Sequence, residues 1–339
     1  MRIEDFDYGL PSALIAQTPI EPRDVARLLV DQGSSLPLHR HVKDFIEFCQ
    51  PGDVVVVNDT KVIPARLRLK RKSGGSAEVL LLEQSKTSPS IWEALIRPAK
   101  RLKLGESLFT SDDSEIVHIG ARTESGDTFT VELSGQTQAE VQALLEKYGE
   151  MPLPPYIATR LDQPDRYQTV YANRPASAAA PTAGLHFTPR LLSEMKESGI
   201  KILTVDLTVG LDTFAPVTAP NPLDHPMHSE FYCVSQETLD ECKSANRVIA
   251  VGTTATRALE SAATNGVLTG RTKMFISRGY EFKVVDLMLT NFHMPRTTLL
   301  MMIDAFIGSR WRDLYAGAIT ERYRMLSFGD AMLLNRHLI

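Results

Sequence analysis

Cysteine is scarce in this 339-residue chain: three residues, Cys49, Cys233 and Cys242, with no metal-like spacing between them. Such usage argues against a disulfide framework and suits a reducing compartment. No apolar run reaches the length of a membrane span, and acids at Glu4, Asp5 and Asp7 do not suit the basic start of a signal peptide. The expectation is a cytoplasmic protein. A net charge of −4 excludes a globally basic nucleic-acid binder, so any such surface must be a local patch. No internal repeat is visible, and the only low-complexity stretch is PASAAAPTAGLHFT (175–188). What remains is ordinary for a globular enzyme: 43% hydrophobic and 23% charged residues, in a length that makes one large or two medium domains.

Strand and helix patterns alternate at both ends of the chain. RLLVD (27–31) reads as a strand, HVKDFIEFCQPG (41–52) as a helix, and DVVVVND (53–59) as a strand buried on both faces. From Val62 to Ser134 the pattern changes to short alternating segments separated by turn residues. These are VIPARLRLKR, AEVLLLEQ, IWEALIRPA, SEIVHIGARTE and DTFTVELSG, which suggest a small antiparallel barrel or sandwich. A helix over 138–150 closes this part, with Gly149 placed as its C′ residue. Beyond MPLPPYI (151–157) the α/β character returns. Thr188 caps a helix that has Pro189 first and Gly199 just past its end, and Ser235 caps another. KILTVDLTVG, RVIAVG, TKMFIS, KVVDLML and AMLLN read as strands, with helices over TATRALESAAT and near 297–307 and 310–324. The expected architecture is a discontinuous α/β domain, residues 1–61 and 151–339, with a β-rich domain, residues 62–150, inserted into it.

Four segments are candidates for chemistry. PASAAAPTAGLHFT suits a Pro-rich surface loop around a core Phe187. It equally suits a loop whose small residues, Thr182, Ala183 and Gly184, let a ligand lie on the backbone beside His186. VGTTATRALES (251–261) is a strand, a glycine turn and a hydroxyl-rich helix start. It is either an ordinary capped helix, with Thr253 or Thr254 as cap, or an anion site clamped by Arg257. It is neither a phosphate-binding Walker loop nor a dinucleotide fingerprint. LDHPMHSEFY (223–232) brings His225, His228 and Glu230 close in sequence, and TNFHMP (290–295) adds Asn291 and His293. These residue types suit proton transfer or a three-histidine metal site, although H-x-x-H-x-E is no standard zinc spacing. Hydrogen-bonded structural histidines are the plainer reading.

Two basic stretches fall in the β-rich insert: RLRLKRK (66–72), five basic residues in seven, and RPAKRLK (97–103), four in seven. A solvated strand face is the default for such patterns, yet two of them on one small domain of an acidic protein also form a footprint for RNA phosphates.

Taken together, NDTKVIPARL (58–67), MPLPPYI (151–157), YQTVYA (167–172), AAPTAGLHF (179–187), HPMHSEF (225–231), NRVIAVGTTATRALES (246–261), YEFKVVDLMLTNFHMP (280–295) and FGDAMLL (328–334) resemble the S-adenosylmethionine:tRNA ribosyltransferase-isomerases of queuosine synthesis. The resemblance runs in order through nearly the whole chain. It implies a three-layer α/β domain with an inserted β-barrel. It implies an enzyme that takes the ribosyl part of S-adenosylmethionine, as substrate rather than cofactor, to tRNA bearing 7-aminomethyl-7-deazaguanine at the wobble position. The product is epoxyqueuosine-tRNA, with adenine and methionine released. The chain departs from the family at Thr208, where a histidine is usual, at Asp212, where glycine is usual, and at Ser277-Arg278-Gly279 in place of Tyr-Pro-Gly.

That chemistry assigns expected roles. The sulfonium acidifies the adjacent C5′ protons, and Glu230 or His228 is the base that removes one. His186 or His293 protonates departing adenine. Thr253, Thr254 and Arg257 bind the methionine carboxylate, and Thr182 to His186, Gly184 among them, hold the sugar or adenine. Asn291 and Asp330 orient the attacking amine, which must be neutral. Arg66, Arg68, Lys70, Arg97 and Lys100 hold tRNA phosphates, and the wobble base is splayed out to reach the cleft. No metal, no cofactor, no membrane and a monomer complete the expectation. The competing readings are a metal-dependent hydrolase using His225, His228 and His293, and a non-catalytic RNA-binding module.

Overall fold

The computed structural model describes residues 1–85, 87–123, 126, 128–210, 216–225, 227 and 229–338. The chain divides into two compact units: 1–61 with 154–174 and 180–339, and 62–153 with 175–179.

The larger unit is built on a nine-stranded mixed sheet. Its strands run in the order Thr269–Thr272, Glu230–Cys233, Lys201–Leu207, Val54–Asn58, Val248–Val251, Leu287–Asn291, Ala331–Asn335, Arg27–Val30 and Leu38–His41. The four central strands from Lys201–Leu207 to Leu287–Asn291 are mutually parallel. Val54–Asn58, Val248–Val251 and Leu287–Asn291 are buried throughout, which explains their unbroken apolar runs. Val55, Val57, Ile249, Val251 and Leu289 point to one face, where they pack with Phe45, Phe187, Leu191 and Met195. The helix Gly252–Asn265 lies against the same strands. Because strand side chains alternate between faces, the layers are helix, sheet and helix.

Local signals account for several boundaries. Thr188 Oγ1 accepts from the Leu191 amide, with Pro189 first in the helix Pro189–Glu197. Ser235 caps Gln236–Ser244 in the same way, and Thr297 caps Thr298–Ile307. Other expectations are corrected. Residues 42–48 form a 3-10 helix and not an α-helix. The TKMFIS segment contributes only its first residue to a strand, Thr269–Thr272, and the strand expected over KVVDLML lies at Leu287–Asn291.

The smaller unit is a closed antiparallel barrel. Arg66–Arg71, Ser76–Gln84, Ile91–Arg97, Phe129–Leu133, Glu115–Arg122 and Ser107–Phe109 pair in that order, and the last pairs back to the first. Leu67, Leu69, Val79, Leu81, Ile96, Val117, Ile119 and Val131 are buried inside. The closing strand, Ser107–Phe109, has three residues and gives no alternating pattern to read. The helix Gln138–Tyr148 carries a capping box of Thr137 and Glu140. Gly149 follows it in extended conformation and not left-handed. Glycine is required there because an added Cβ would stand 2.0 Å from the Pro64 carbonyl oxygen.

Candidate active site

The pockets of the larger unit gather at the carboxyl ends of its parallel strands, the edge where open α/β sheets bind ligands. Val248–Val251 runs directly into Gly252, Thr253 and Thr254, and Leu287–Asn291 runs into Phe292 and His293. Lys201–Leu207 leads to Val209; Gly252, Thr253, Thr254, His293 and Val209 line two adjoining cavities that share Thr253, Thr254 and Leu299.

The first cavity, about 340 Å³, is lined by Glu230, Arg257, Thr253 and Thr254 against Met227, Met274, Phe275 and Met302. Glu230 opens its strand and is 7 % exposed; Arg257, in the second turn of the helix Gly252–Asn265, is equally buried. Arg257 Nη1 donates to Glu230 Oε2 at 2.5 Å, and Nη2 reaches the Thr272 carbonyl at 3.4 Å. The two buried charges are each other's counter-ions. The Gly210 amide lies 3.5 Å from Glu230 Oε1. Neither Thr253 nor Thr254 caps the helix, because Val251 holds the N-cap position and no side chain bonds there. Both threonines sit inside the first turn. The Thr254 hydroxyl is buried and has no hydrogen-bond partner among the described residues. A polar atom left this way costs stability unless something binds it.

The second cavity adds Thr182, Asn291, His293, Pro181 and Thr290. Asn291 is its hub. Its Oδ1 accepts from Thr182 Oγ1 at 2.8 Å, and its Nδ2 lies 3.2 Å from His186 Nε2 and 3.4 Å from the Asp330 carbonyl. His293 Nε2 pairs with Thr290 Oγ1 at 2.9 Å, while its backbone is held by Tyr315 and Tyr8. Burial pushes the His293 imidazole down to about 3 and that of His186 to about 4, the latter helped by the nearby Arg324 charge. Both are neutral at pH 7.

Glu230, Arg257, Thr253, Thr254, Thr182, Asn291 and His293 are thus brought together. His186 is one step removed, touching the second cavity only through Asn291. Asp330 faces away: its carboxylate accepts from the Arg27 amide and side chain and from the Arg324 amide. Gly184 is buried against the fold, where an added Cβ would stand 1.8 Å from Tyr171 Oη, so its smallness serves packing. His228 and Asp212 lie outside the described residues. Thr208 pairs through its backbone with Phe231, and Arg278 holds the buried Asp304 carboxylate with two bonds of 2.9 and 3.0 Å. Among the described residues no three His, Cys, Asp or Glu side chains group as metal ligands. Sequence reading missed Tyr156 and Ser327, which share a 2.6 Å hydrogen bond and line the cavity adjoining Asn291 and His293. A tyrosine among the prolines of MPLPPYI was the available signal.

In the barrel, Arg66, Arg68 and Lys70 alternate with buried Leu67 and Leu69 and so face outward. Arg68 pairs with Glu150 at 2.9 Å and Glu78 at 3.8 Å, Lys70 with Asp113 at 2.7 Å, and Arg66 donates to the Leu153 carbonyl. Arg97 and Lys100 are exposed.

A mixed sheet that gathers an ion pair and a hydroxyl-rich helix start at its carboxyl edge is the arrangement of an α/β enzyme, with its pockets where such folds take small ligands. The chain belongs to the family described as queuosine biosynthesis proteins, whose sequence profile it matches over residues 3–334. It is 49% identical to the S-adenosylmethionine:tRNA ribosyltransferase-isomerase of Moorella thermoacetica, over 98% of this chain and all of that protein. The Staphylococcus epidermidis protein of the same name is 46% identical over the same shares. The crystal structure of S-adenosylmethionine tRNA ribosyltransferase from Thermotoga maritima is similar with a TM-score of 0.54 and 35% identity, covering 97% of this chain and 99% of that one.

Proposed function

We propose that the Glu230–Arg257 cavity binds S-adenosylmethionine and that the adjoining Asn291–His293 cavity receives the modified base. The chain is a transferase-isomerase that moves the ribosyl part of S-adenosylmethionine to tRNA in queuosine biosynthesis, as its relatives are named. The acceptor in this reading is the 7-aminomethyl-7-deazaguanine wobble base. The product is epoxyqueuosine-tRNA, and adenine and methionine leave. Family membership sets aside the metal-dependent hydrolase and the RNA-binding module.

The observation that carries the site assignment is the unpartnered Thr254 hydroxyl beside Arg257, at a helix start whose unpaired amides suit a carboxylate. The methionine carboxylate binds there and draws Arg257 toward itself. Glu230 is then released from its counter-ion beside the sulfonium. In that arrangement Glu230, or His228, removes the C5′ proton. His293 lies in the cavity as a neutral imidazole, so it serves adenine departure by a hydrogen bond rather than as a stored proton. His186 acts through Asn291, as does the Asp330 carbonyl. The apolar wall of Met227, Met274 and Met302 keeps water from the ylide.

Arg97 and Lys100, exposed on the barrel, are the favoured tRNA phosphate contacts, with Arg66, Arg68 and Lys70 secondary because they already have protein partners. Within the same reading the enzyme works as a cytoplasmic monomer without a cofactor. No described helix is long and apolar enough to cross a membrane. The deciding assay is incubation with S-adenosylmethionine and tRNA carrying the deazaguanine amine. Free adenine should appear only when both are present, and its absence overturns the reading.

A further inference from the structure

A fourth pocket of the larger unit carries arginines to which the reaction assigns no role. It is lined by Pro19, Ile20, Arg23, Arg166, Leu185, His186, Ser327 and Phe328. Ser327 also lines the cavity that Tyr156 shares with Asn291 and His293, so one wall separates these two. The Arg23 guanidinium donates to three carbonyls, Gln168 at 2.6 Å, Leu185 at 3.4 Å and Asp165 at 3.2 Å. Arg166 donates to the Ile20 carbonyl at 2.7 Å and pairs at 2.6 Å with Glu21, which is 71% exposed and screened by water. Arg324 stands near enough to His186 to depress its protonation, donates to the Thr18 carbonyl, and has a buried Nη1 with no partner among the described residues. The acids facing this cluster are Glu21, Asp165 and Asp330, and the Asp330 carboxylate is taken by backbone amides and Arg27. Burial and mutual repulsion weaken the hold of Arg23 on its proton, and burial does the same to Arg324. Arg23 and Arg166 line the pocket, Arg324 acts on His186 from beside it, and the one buried carboxylate facing them, Asp330, is already engaged by Arg27, so an added anion is favoured here.

We propose that Arg23, Arg166, Arg324 and His186 form a phosphodiester pocket that grips one backbone phosphate of the tRNA, across Ser327 and Asn291 from the reacting base. The occupant rests on the tRNA reading above. S-adenosylmethionine carries no phosphate, and its carboxylate has a separate place at Arg257. Guanidinium forks match phosphate oxygens in pairs, and a phosphate here supplies the acceptor that Arg324 Nη1 lacks. Pro19, Ile20, Leu185 and Phe328 give the apolar wall for the adjoining sugar. By anchoring the backbone beside the site, the pocket holds a splayed nucleotide in place and contributes affinity without reading sequence.

The test uses the full-length enzyme, a fluorescent anticodon stem-loop and inorganic phosphate. Arg166→Gln and Arg324→Gln should each raise the tRNA KM about tenfold and reduce the slope of log affinity against log salt by roughly 0.7 to 0.9. The KM for S-adenosylmethionine should not change. In the wild type, stem-loop binding should move the His186 NMR titration upward, and inorganic phosphate should compete with the stem-loop but do so poorly in Arg166→Gln. If both variants fold yet keep the wild-type tRNA KM and salt slope, the pocket holds no backbone phosphate. If the S-adenosylmethionine KM rises instead, the anion is its carboxylate and the proposal fails. If phosphate shifts His186 but the stem-loop neither shifts it nor competes, the source is free phosphate and the RNA assignment is overturned. A wild-type enzyme that never releases adenine sinks the underlying reading. Wild-type turnover with indifferent variants sinks only this pocket.

Discussion

Arg257 Nη1 stands 2.5 Å from Glu230 Oε2, both residues nearly sealed from water, in the cavity that also holds Thr253 and Thr254. Removing one member of a buried pair leaves the other charge uncompensated, at a cost of about 3–5 kcal/mol. Glu230→Gln should abolish adenine release while tRNA binding persists. Its unfolding midpoint should fall, and the double variant Glu230→Gln/Arg257→Gln should recover much of that stability without activity. Full turnover by Glu230→Gln removes Glu230 from the mechanism.

Thr254→Val replaces an unbonded buried hydroxyl with a methyl of similar shape. The free enzyme should be as stable as the wild type or slightly more so. The S-adenosylmethionine KM should rise about fivefold to tenfold, equivalent to a hydrogen bond of about 1 kcal/mol. Thermal unfolding and substrate titration together check this, and an unchanged KM places the ligand away from Thr254.

Gly184→Ala forces a Cβ against Tyr171 Oη, a buried hydroxyl with no hydrogen-bond partner among the described residues. The substitution should destabilise by about 1–3 kcal/mol through overpacking. Adding Tyr171→Phe should restore most of the loss in a urea titration. No rescue means that Gly184 is required for something other than this contact.

His186 and His293 are depressed to about 4 and about 3, from an ordinary value near 6.5. Their folded values lie below the unfolded one, so the stability they allow is complete above pH 6.5 and is lost as pH falls toward 4 and 3. Across that window the unfolded chain binds up to two more protons at these positions. The unfolding free energy should therefore drop with a slope approaching about 2.7 kcal/mol per pH unit from this pair alone. His293→Gln should roughly halve that slope in urea titrations at stepped pH.

Arg97 and Lys100 are exposed, whereas Arg68 and Lys70 already face carboxylates. Arg97→Ala/Lys100→Ala should weaken stem-loop binding uniformly across RNA sequences and lower the salt slope by between one and two. An unchanged slope moves the tRNA off this part of the barrel.

Features set by near neighbours in the chain were legible. The caps at Thr188 and Ser235 bond three residues ahead, and the apolar strands Val54–Asn58 and Val248–Val251 declare their burial by composition. Glu230 and Arg257 were each readable as functional, but their pairing was not, because it depends on the strand register Glu230 to Thr272. Thr253 and Thr254 looked like caps because hydroxyls favour that position, yet the cap is Val251 and the helix already begins at Gly252. The barrel's closing strand was too short to show a period, and the arginine pocket joins Arg23 and Arg166 from distant segments, with Arg324 acting on His186 from a third.

Arg27–Val30 finds its parallel partner only in Ala331–Asn335, and the Arg27 amide bonds Asp330 across 303 residues of chain. During translation this strand therefore emerges with half its ladder empty and must wait until residues 331–335 have been made. The nascent protein is committed to a long interval with an unsealed edge, so dependence on ribosome-associated chaperones should be greatest for this segment.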